Sequence, residues 1–278
     1  MILVTGAGGK TGKAVIDALA GQEEPIRAWV RHQEQAEDLA CADWIAGDVG
    51  DALLWKAACQ GVRAIYHICP NLHPDEVAIC QLALDAAIRA GVEHFVYHSV
   101  LHPQTSTMPH HWRKLQCEEA IFASGLPFTI LQPCAYMQNV LTYWPSITAQ
   151  GIYPVPYALD ARLSLVDLAD VAAVATKVLT EPGHTGAIYE LAGPQPLSQT
   201  EIAGLLTAAL SHPVWAERVA WDVWESAARQ RRMGDEAVEI LLAMFRYYDR
   251  HGLVGNPNVL GWLLGCPPTS FAEFVSRQ

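Results

Sequence analysis

The chain has 278 residues, of which 18 are Lys or Arg and 29 are Asp or Glu, so its formal net charge is −11. An acidic surface disfavours nucleic acid and anionic membranes as partners. A chain of this length buries about three quarters of the surface of its unfolded state, so it needs no disulfide or structural metal in order to fold.

The cysteines and the first residues bear on the cellular location. The seven cysteines include no C-x-x-C pair, and most lie in apolar segments, where cysteine acts as a small core residue. Met1 leads directly into a predicted strand, without the basic and apolar regions of a secretory signal. We therefore expect a cytoplasmic protein without disulfides, for which a monomer and a homodimer both remain open.

The first twelve residues combine a buried strand with a glycine loop. Residues 2–5 are apolar or β-branched without polar alternation, as is typical of a strand covered on both faces of a parallel sheet. A helical pattern begins near Lys10. Glycines let the backbone approach a pyrophosphate closely, and the N-terminus of the helix faces that anion. We predict that the cofactor is bound by Gly6, Gly9, Lys10, Thr11 and Gly12.

The segment Gly9-Lys10-Thr11 also resembles the end of a P-loop, the phosphate-binding loop of nucleoside triphosphatases. That motif requires a glycine where this chain has Val4, inside the strand. The loop therefore favours a dinucleotide over a nucleoside triphosphate. The remaining alternative is a tight strand-to-helix turn that binds nothing.

The end of the second predicted strand, residues 25–30, bears on the choice of cofactor. The next residue is Arg31, and neither Asp nor Glu stands at this point. In dinucleotide folds an acidic side chain here binds the ribose 2′-hydroxyl, whereas arginine accommodates a 2′-phosphate. Arg31 therefore indicates NADP(H) in preference to NAD(H), unless it is only an exposed residue that opens the next helix.

The third and fourth predicted strands end in further cofactor candidates. After the third strand, Asp48 is placed to accept a hydrogen bond from the adenine amino group, and Val49 to support the ring. Asp48 is equally suited to cap the next helix. The strand over residues 64–69 ends at Cys69 and Pro70, where we expect the backbone to turn along the cofactor.

Six predicted strands alternate with helical patterns in the first half of the chain. This order indicates an α/β fold of the Rossmann type, a doubly wound parallel sheet with helices on both faces. Ligands of such sheets bind beyond the carboxyl ends of the strands, where Ser99 and Pro133 also stand. We assign residues 1–133 to a dinucleotide-binding domain and residues 134–278 mainly to a smaller substrate lobe, with residues 162–192 returning in part to the sheet.

Residues 120–159 contain no Asp, Glu, Lys, Arg or His. Prolines and glycines interrupt them too often for a membrane helix, so they form a covered, folded segment. Its aromatic side chains suit a pocket for a flat apolar ligand, although a core or a subunit interface has the same composition. The aromatic set is Tyr136, Tyr143, Trp144, Tyr153 and Tyr157, and we predict that Tyr136, Asn139 and Trp144 contact the substrate.

Six features of the chain share their pattern with one known family. They are the opening MILVTGAGGKTG, Arg31 after the second strand, GDVGD, SGLPFTILQPCAYMQN, LVDLADVAAVA and the ending PPTSFAEFV. Together they resemble the NmrA-like group of atypical short-chain dehydrogenases/reductases. The resemblance implies a Rossmann domain, NADP(H), and hydride transfer to a small apolar acceptor such as a quinone or a triphenylmethane dye. Other members only sense the redox state of NADP(H) and regulate partners, and this is the alternative function.

The chain departs from the family pattern at the proton donor. Short-chain dehydrogenases usually carry Tyr-x-x-x-Lys, in which the tyrosine exchanges the proton and the lysine holds the nicotinamide ribose. Here Lys114 is the lysine candidate and His110 stands in place of the tyrosine. An imidazole titrates near neutral pH, so His110 or His111 is the candidate donor, against the alternative of an exposed loop histidine. Ser99 either positions the nicotinamide or the substrate, or is a core hydroxyl.

Four histidines, His98, His102, His110 and His111, are close in sequence. They lie on a strand end and a proline-bearing loop without helical spacing, and no carboxylate or cysteine completes a ligand set. We therefore predict no metal site.

Overall fold

The computed structural model describes residues 1–278 as an α/β protein. The strands are β1 (Ile2–Val4), β2 (Ile26–Val30), β3 (Asp43–Ala46), β4 (Ala64–His67), β5 (His94–His98), β6 (Phe128–Pro133), β7 (Ala135–Tyr136), β8 (Ile152–Val155), β9 (Leu163–Val166), β10 (Ala187–Leu191), β11 (Pro196–Leu197) and β12 (Trp215–Arg218). The helices are α1 (Lys10–Leu19), α2 (Ala52–Ala58), α3 (Glu76–Ala90), α4 (Pro109–Ser124), α5 (Trp144–Gln150), α6 (Leu168–Thr180), α7 (Gln199–Leu210), α8 (Trp221–Gln230), α9 (Asp235–His251), α10 (Asn258–Leu264) and α11 (Phe271–Val275). Two 3-10 helices cover Gln33–Ala36 and Met137–Tyr143. No helix combines the length and the apolar character that crossing a membrane requires.

The chain forms two compact units, each built from separate stretches of sequence. The first unit comprises residues 1–104, 111–132 and 168–189. The second comprises residues 105–110, 133–167 and 190–278. The division into two domains after residue 133 stays a prediction, because compact units need not fold as independent domains.

The sheet of the first unit has the strand order β10-β6-β5-β4-β1-β2-β3. Neighbouring strands from β3 across to β6 are parallel, and Ile2 in the central strand lies opposite both Ile26 and Ala64. The order 3-2-1-4-5-6 is that of doubly wound dinucleotide-binding sheets, whose switch point falls between β1 and β4. The predicted Rossmann-type fold class is confirmed.

Burial explains why the first helix and strand have their sequences. All three residues of β1 are fully buried, which accounts for its unbroken apolar run. In α1 the buried residues are Gly12, Val15, Ile16 and Leu19, a spacing of three and four that forms one helix face. That helix packs against α6, and the glycine loop is thereby held at the end of β1.

The expected return of residues 162–192 to the main sheet holds only in part. Their first strand, β9, pairs with β7 and β11 in a separate three-stranded sheet of the second unit. After β2 the chain forms a 3-10 helix over Gln33–Ala36 in place of an α-helix. Of residues 162–192, β10 is the strand that joins the main sheet.

Candidate functional site

The loop between β1 and α1 is shaped by backbone packing that only glycine permits. Gly6 has a φ of +62°, and a Cβ there would lie 3.2 Å from the carbonyl oxygen of Ile68. A Cβ on Gly12 would lie 2.3 Å from the carbonyl oxygen of Gly6 and 2.7 Å from the Cα of Ala7. The backbone therefore turns from strand into helix with no room for a side chain, as the predicted cofactor loop requires.

The N-terminus of α1 has the properties of an anion site. Its N-cap is Gly9, which makes no side-chain capping bond, and its first turn contains no acidic residue. Lys10 is the first helical residue and is exposed. The positive end of the helix dipole favours a phosphate at this position. The pyrophosphate of a dinucleotide fits this cradle, and the residues that would hold it are Gly6, Gly9, Lys10, Thr11 and Gly12.

A hydrogen-bonded brace joins the ends of β1 and β4 beside the loop. The Thr5 hydroxyl donates to the Ile68 carbonyl at 3.0 Å, accepts from the Ile68 N–H at 2.8 Å and lies 3.1 Å from His67 Nδ1. Because the single hydroxyl proton goes to the carbonyl, His67 Nδ1 is the protonated nitrogen and donates to Thr5. Burial, assisted by the charge of Lys114, lowers the pKa of His67 to about 3, so the ring is neutral. This brace fixes Gly6 against Ile68 at the switch point.

The end of β2 carries a residue that the sequence analysis missed, Gln35. Its Oε1 accepts from the backbone N–H groups of Arg31 at 3.1 Å and His32 at 3.0 Å. A Cβ on Gly8 would lie 2.7 Å from its Nε2, so the carboxamide lies against the glycine loop. The exposed Arg31 is placed at this strand end as predicted. Gln35 is the third residue of a capping box with His32 as N-cap, and that reciprocal pattern was the available signal.

The structure at the end of β3 excludes one of the two interpretations of Asp48, namely that it caps the next helix. Its exposed side chain accepts from the Gly50 N–H at 2.8 Å in a turn. The N-cap of α2 is Asp51, which accepts from Leu53, so the alternative that Asp48 caps this helix is wrong. Val49 is buried, and its carbonyl accepts from Trp55 Nε1 at 2.7 Å. Adenine binding by Asp48 and Val49 stays a prediction.

The end of β4 turns as expected. Pro70 is exposed, and its carbonyl accepts from the His73 N–H at 3.2 Å. Cys69 is buried, and burial, assisted by the carboxylate of Glu76, raises the pKa of its thiol, so this cysteine is uncharged. A cofactor following this turn would meet backbone rather than a reactive thiolate.

Lys114 lies in a buried polar cluster of the first unit. Its Nζ is 2.6 Å from Glu76 Oε1 and donates to the His98 carbonyl at 2.8 Å. The ammonium group stands 5.0 Å from the ring centroid of Tyr97, whose hydroxyl donates to Glu76 at 3.2 Å. Burial is the largest single influence and lowers the pKa of Lys114, but the charge and hydrogen bond of Glu76, together with Cys69 and Cys117, raise it by more, so the net pKa is raised. Lys114 is therefore a charged residue with protein partners, and its predicted contact with the ribose stays a prediction.

Ser99 forms a second buried cluster after β5. Its hydroxyl donates to the carboxylate of Glu118, and Gln132 Nε2 donates to both oxygens of the same carboxylate at 2.9 and 3.0 Å. All three side chains are buried. Burial raises the pKa of Glu118, against the opposing effect of these hydrogen bonds and of Lys114. Glu118 was not among the predicted site residues, although it stands one helical turn after Lys114.

The two candidate histidines differ in their surroundings. Helix α4 includes both His110 and Lys114, one turn apart as the prediction requires, and His110 is partly exposed. His111 is fully buried, and its Nδ1 lies 3.2 Å from the His102 carbonyl. Burial lowers the pKa of His111 to about 4. The ring of His111 is thus neutral near pH 7, which makes it a weak proton donor.

The second unit contains the remaining candidates. Pro133 ends β6 and is buried, Tyr136 lies in β7, Asn139 is exposed on a 3-10 helix and Trp144 begins α5. The other predicted aromatic residues pack within the unit, with ring centroids 6.0 Å apart for Tyr143 and Tyr153, 6.0 Å for Tyr157 and Phe245, and 5.8 Å for Tyr157 and Tyr248. Substrate contact by Tyr136, Asn139 and Trp144 stays a prediction.

Two of the four histidines considered as metal ligands, His98 and His111, have other partners. The Tyr66 hydroxyl lies 2.7 Å from His98 Nδ1, and burial lowers the pKa of His98 to about 3. His111 is turned toward the His102 carbonyl. Nowhere in the chain do three or more His, Cys, Asp or Glu side chains form a group that could hold a metal ion.

Comparison with known proteins gives matches over nearly the full length. The model of the NmrA-like family matches residues 1–270. An NAD(P)H azoreductase of Xenophilus azovorans is 31% identical over 282 aligned positions, covering 100% of this chain and 98% of that protein. The NADPH complex of an Escherichia coli NADPH-dependent quinone oxidoreductase superposes with a TM-score of 0.87 at 29% identity, covering 100% and 99% of the two chains. Triphenylmethane reductase of Citrobacter sp., complexed with NADP(H), has a TM-score of 0.87 at 25% identity, with the same coverage.

Proposed function

The chain belongs to the NmrA-like family, and on that premise we propose that it is an NADPH-dependent reductase of small apolar acceptors that are aromatic or quinone-like. It is an oxidoreductase that uses a nicotinamide cofactor. The choice of NADPH over NADH and the class of acceptor are the proposed parts.

The glycine cradle at the switch point is the observation that carries the proposal. Gly12 has no space for a side chain, Gly6 combines a φ of +62° with a close approach to Ile68, and the positive end of the α1 dipole lies beside them. This arrangement binds a pyrophosphate between two mononucleotide-binding halves of the sheet. A bound reduced nicotinamide supplies the hydride, and the protein supplies binding, orientation and exclusion of water.

The end of β2 supports NADPH as the preferred cofactor. Arg31 and His32 are exposed there, and their backbone N–H groups point to the carboxamide of Gln35. Guanidinium and backbone N–H groups suit a 2′-phosphate. A carboxylate at this position would bind the free ribose 2′-hydroxyl of NAD(H), and this chain has none there.

The relatives support a flat aromatic acceptor. The names of the three similar proteins refer to azo compounds, quinones and triphenylmethane dyes. The segment over residues 120–159, which lacks charged residues and histidine, offers Tyr136, Asn139 and Trp144 as acceptor contacts. Aromatic and amide groups orient such a molecule by stacking and hydrogen bonding.

The test is a binding titration with NADPH and NADH, followed by NADPH oxidation with quinones, azo dyes and triphenylmethane dyes. We expect tighter binding of NADPH and turnover with at least one acceptor class. Binding without turnover on any acceptor would favour the alternative of a regulator that senses the redox state of NADP(H). The absence of nicotinamide binding would contradict both functions.

A further inference from the structure

We propose that Glu118 supplies the proton that the reduced acceptor requires and that the Ser99 hydroxyl passes it on. The inference rests on the proposed reductase function and names the proton route within it. In other short-chain dehydrogenases a tyrosine exchanges this proton. This chain has His110 at that position, and Glu118 takes the role of the missing tyrosine.

Glu118 lies among neutral hydrogen-bond partners. Its side chain is 2% exposed, and those partners are Ser99 and Gln132. The cation that acts on its pKa, Lys114, is itself bound to Glu76 at 2.6 Å. A buried carboxyl group without a cation of its own retains a proton to higher pH than an exposed one. Glu118 is therefore suited to store a proton.

Ser99 is placed to carry the proton to a ligand. It directly follows β5, and its backbone N–H donates to the Leu131 carbonyl of β6 at 2.8 Å. The hydroxyl therefore stands at the carboxyl edge of the sheet, where doubly wound folds bind their ligands. A serine hydroxyl has one proton and two lone pairs, so it accepts from a protonated Glu118 while it donates onward.

Two buried groups of the first unit, His111 and Lys114, are unsuited to the task. His111 is neutral near pH 7, because burial lowers its pKa to about 4. The ammonium group of Lys114 is bound by Glu76 and by the His98 carbonyl. A charged lysine held by a buried carboxylate gives up its proton with difficulty. Glu118, in contrast, is a buried acid that Ser99 links to the sheet edge.

The step balances as follows. The acceptor gains a hydride, with its electron pair, and negative charge develops on an oxygen or nitrogen atom. The Ser99 O–H bond breaks as its proton moves to that atom, and the proton of Glu118 moves to Ser99 Oγ. Glu118 is left as a carboxylate, which the N–H groups of Gln132 stabilise, and it takes a new proton from solvent after product release.

Two kinds of acceptor test this route. A neutral quinone needs one hydride and one proton, whereas a cationic triphenylmethane dye is neutralised by the hydride alone. Glu118→Gln and Ser99→Ala should therefore lower kcat for quinones by about 100-fold, a typical contribution of general acid catalysis. The same variants should lose much less of their activity with the dye, because its reduction needs no proton. Ser99→Thr keeps a hydroxyl and should retain quinone turnover, and Glu119→Gln on the exposed side of α4 is the matched control.

Equal losses with both acceptors, or no loss with either, would contradict the proposal. A second readout is independent of turnover and of the acceptors that the protein uses. Infrared titration of the protein without cofactor should show a protonated carboxyl band that persists above pH 4.5, the ordinary glutamate pKa, and disappears in Glu118→Gln but not in Glu119→Gln. A titration of this band at or below that pH would also contradict the proposal. If the parent protein does not bind NADPH, the reductase function itself is refuted.

Discussion

Lys114 Nζ and Glu76 Oε1 form an ion pair at 2.6 Å between two side chains that are 6% and 1% exposed. The pair joins α3 to α4 in the first unit, and the Tyr97 hydroxyl and the His98 carbonyl complete it. Other short-chain dehydrogenases use a lysine at this point of their motif for the ribose. In this chain the same ammonium group also has a structural partner inside the protein.

The first prediction concerns that pair. Glu76→Gln leaves the buried charge of Lys114 without a counter-ion, so the free energy of unfolding should fall by about 3–5 kcal/mol. The double variant Glu76→Gln, Lys114→Met removes both charges and should recover most of the loss. Urea denaturation near neutral pH measures both effects, with Glu119→Gln as the exposed control.

The raised pKa of Lys114 determines how the stabilisation by this ion pair changes with pH. The stabilisation is fully present below the ordinary lysine pKa of 10.5 and is lost as the pH rises through the raised value. In Glu76→Gln the carboxylate is gone and burial lowers the pKa of Lys114, so this variant should gain stability as the pH rises toward 10.5 and the deficit should shrink over that range. A deficit that is the same at every pH up to 10.5 would contradict the ion pair.

The second prediction is a loss of stability in mild acid. Burial lowers the pKa of four histidines below the ordinary value of 6.5, to about 3 for His67 and His98 and about 4 for His94 and His111. Below pH 6.5 the unfolded chain therefore binds more protons than the folded one. Each such group removes about 1.4 kcal/mol per pH unit until its folded pKa is reached. Glu118 acts in the opposite direction through its raised pKa, but it is one group against four.

Thermal unfolding between about pH 7.5 and pH 5 measures this effect. We expect Tm to fall steeply below the ordinary histidine pKa. His94→Gln should make the fall shallower, because glutamine keeps a polar partner for Thr129, which lies 2.8 Å from His94 Nε2. A Tm that stays level across this range would show that the four rings titrate normally in the fold.

The sheet was predictable because its strands are short apolar runs between helical patterns. The sheet that β9 joins was not predictable, because a short apolar run indicates a strand but not its neighbours. The glycine loop was predictable for a different reason. The backbone packs so closely at Gly12 that no residue with a Cβ fits there.

The buried clusters were not predictable in the same way. Glu76 and Lys114 lie on different helices, and Ser99 meets Glu118 only once β5 and α4 are packed. Their pairing depends on tertiary structure, and a glutamate in an amphipathic helix is ordinarily read as a solvated residue. Gln35 was missed because a glutamine in a short polar helix carries no motif beyond its capping box.

The third prediction tests the glycine cradle. Gly12→Ala places a Cβ 2.3 Å from the Gly6 carbonyl oxygen, so the loop must shift and NADPH binding should weaken at least tenfold. Gly21→Ala is the matched control, because a Cβ there meets nothing within 4 Å. Calorimetric titration with NADPH compares the two. Equal affinities would mean that the cradle is not the pyrophosphate site.

The fourth prediction concerns the choice between NADPH and NADH. Gln35 Oε1 accepts from the backbone N–H groups of Arg31 and His32, at the strand end where we propose the 2′-phosphate to bind. Gln35→Glu places a carboxylate on those N–H groups, so its charge opposes a phosphate at the same donors. NADPH affinity should fall by about 10- to 100-fold, the cost of a lost charge-assisted hydrogen bond, whereas NADH affinity should change little. Arg31→Ala should have the same selective effect.

Gln33→Glu is the matched control. It adds the same charge to an exposed residue of the same 3-10 helix, so it separates local competition from a general effect of charge. If Gln33→Glu and Gln35→Glu weaken NADPH equally, or if NADH binding falls in parallel, the 2′-phosphate lies elsewhere.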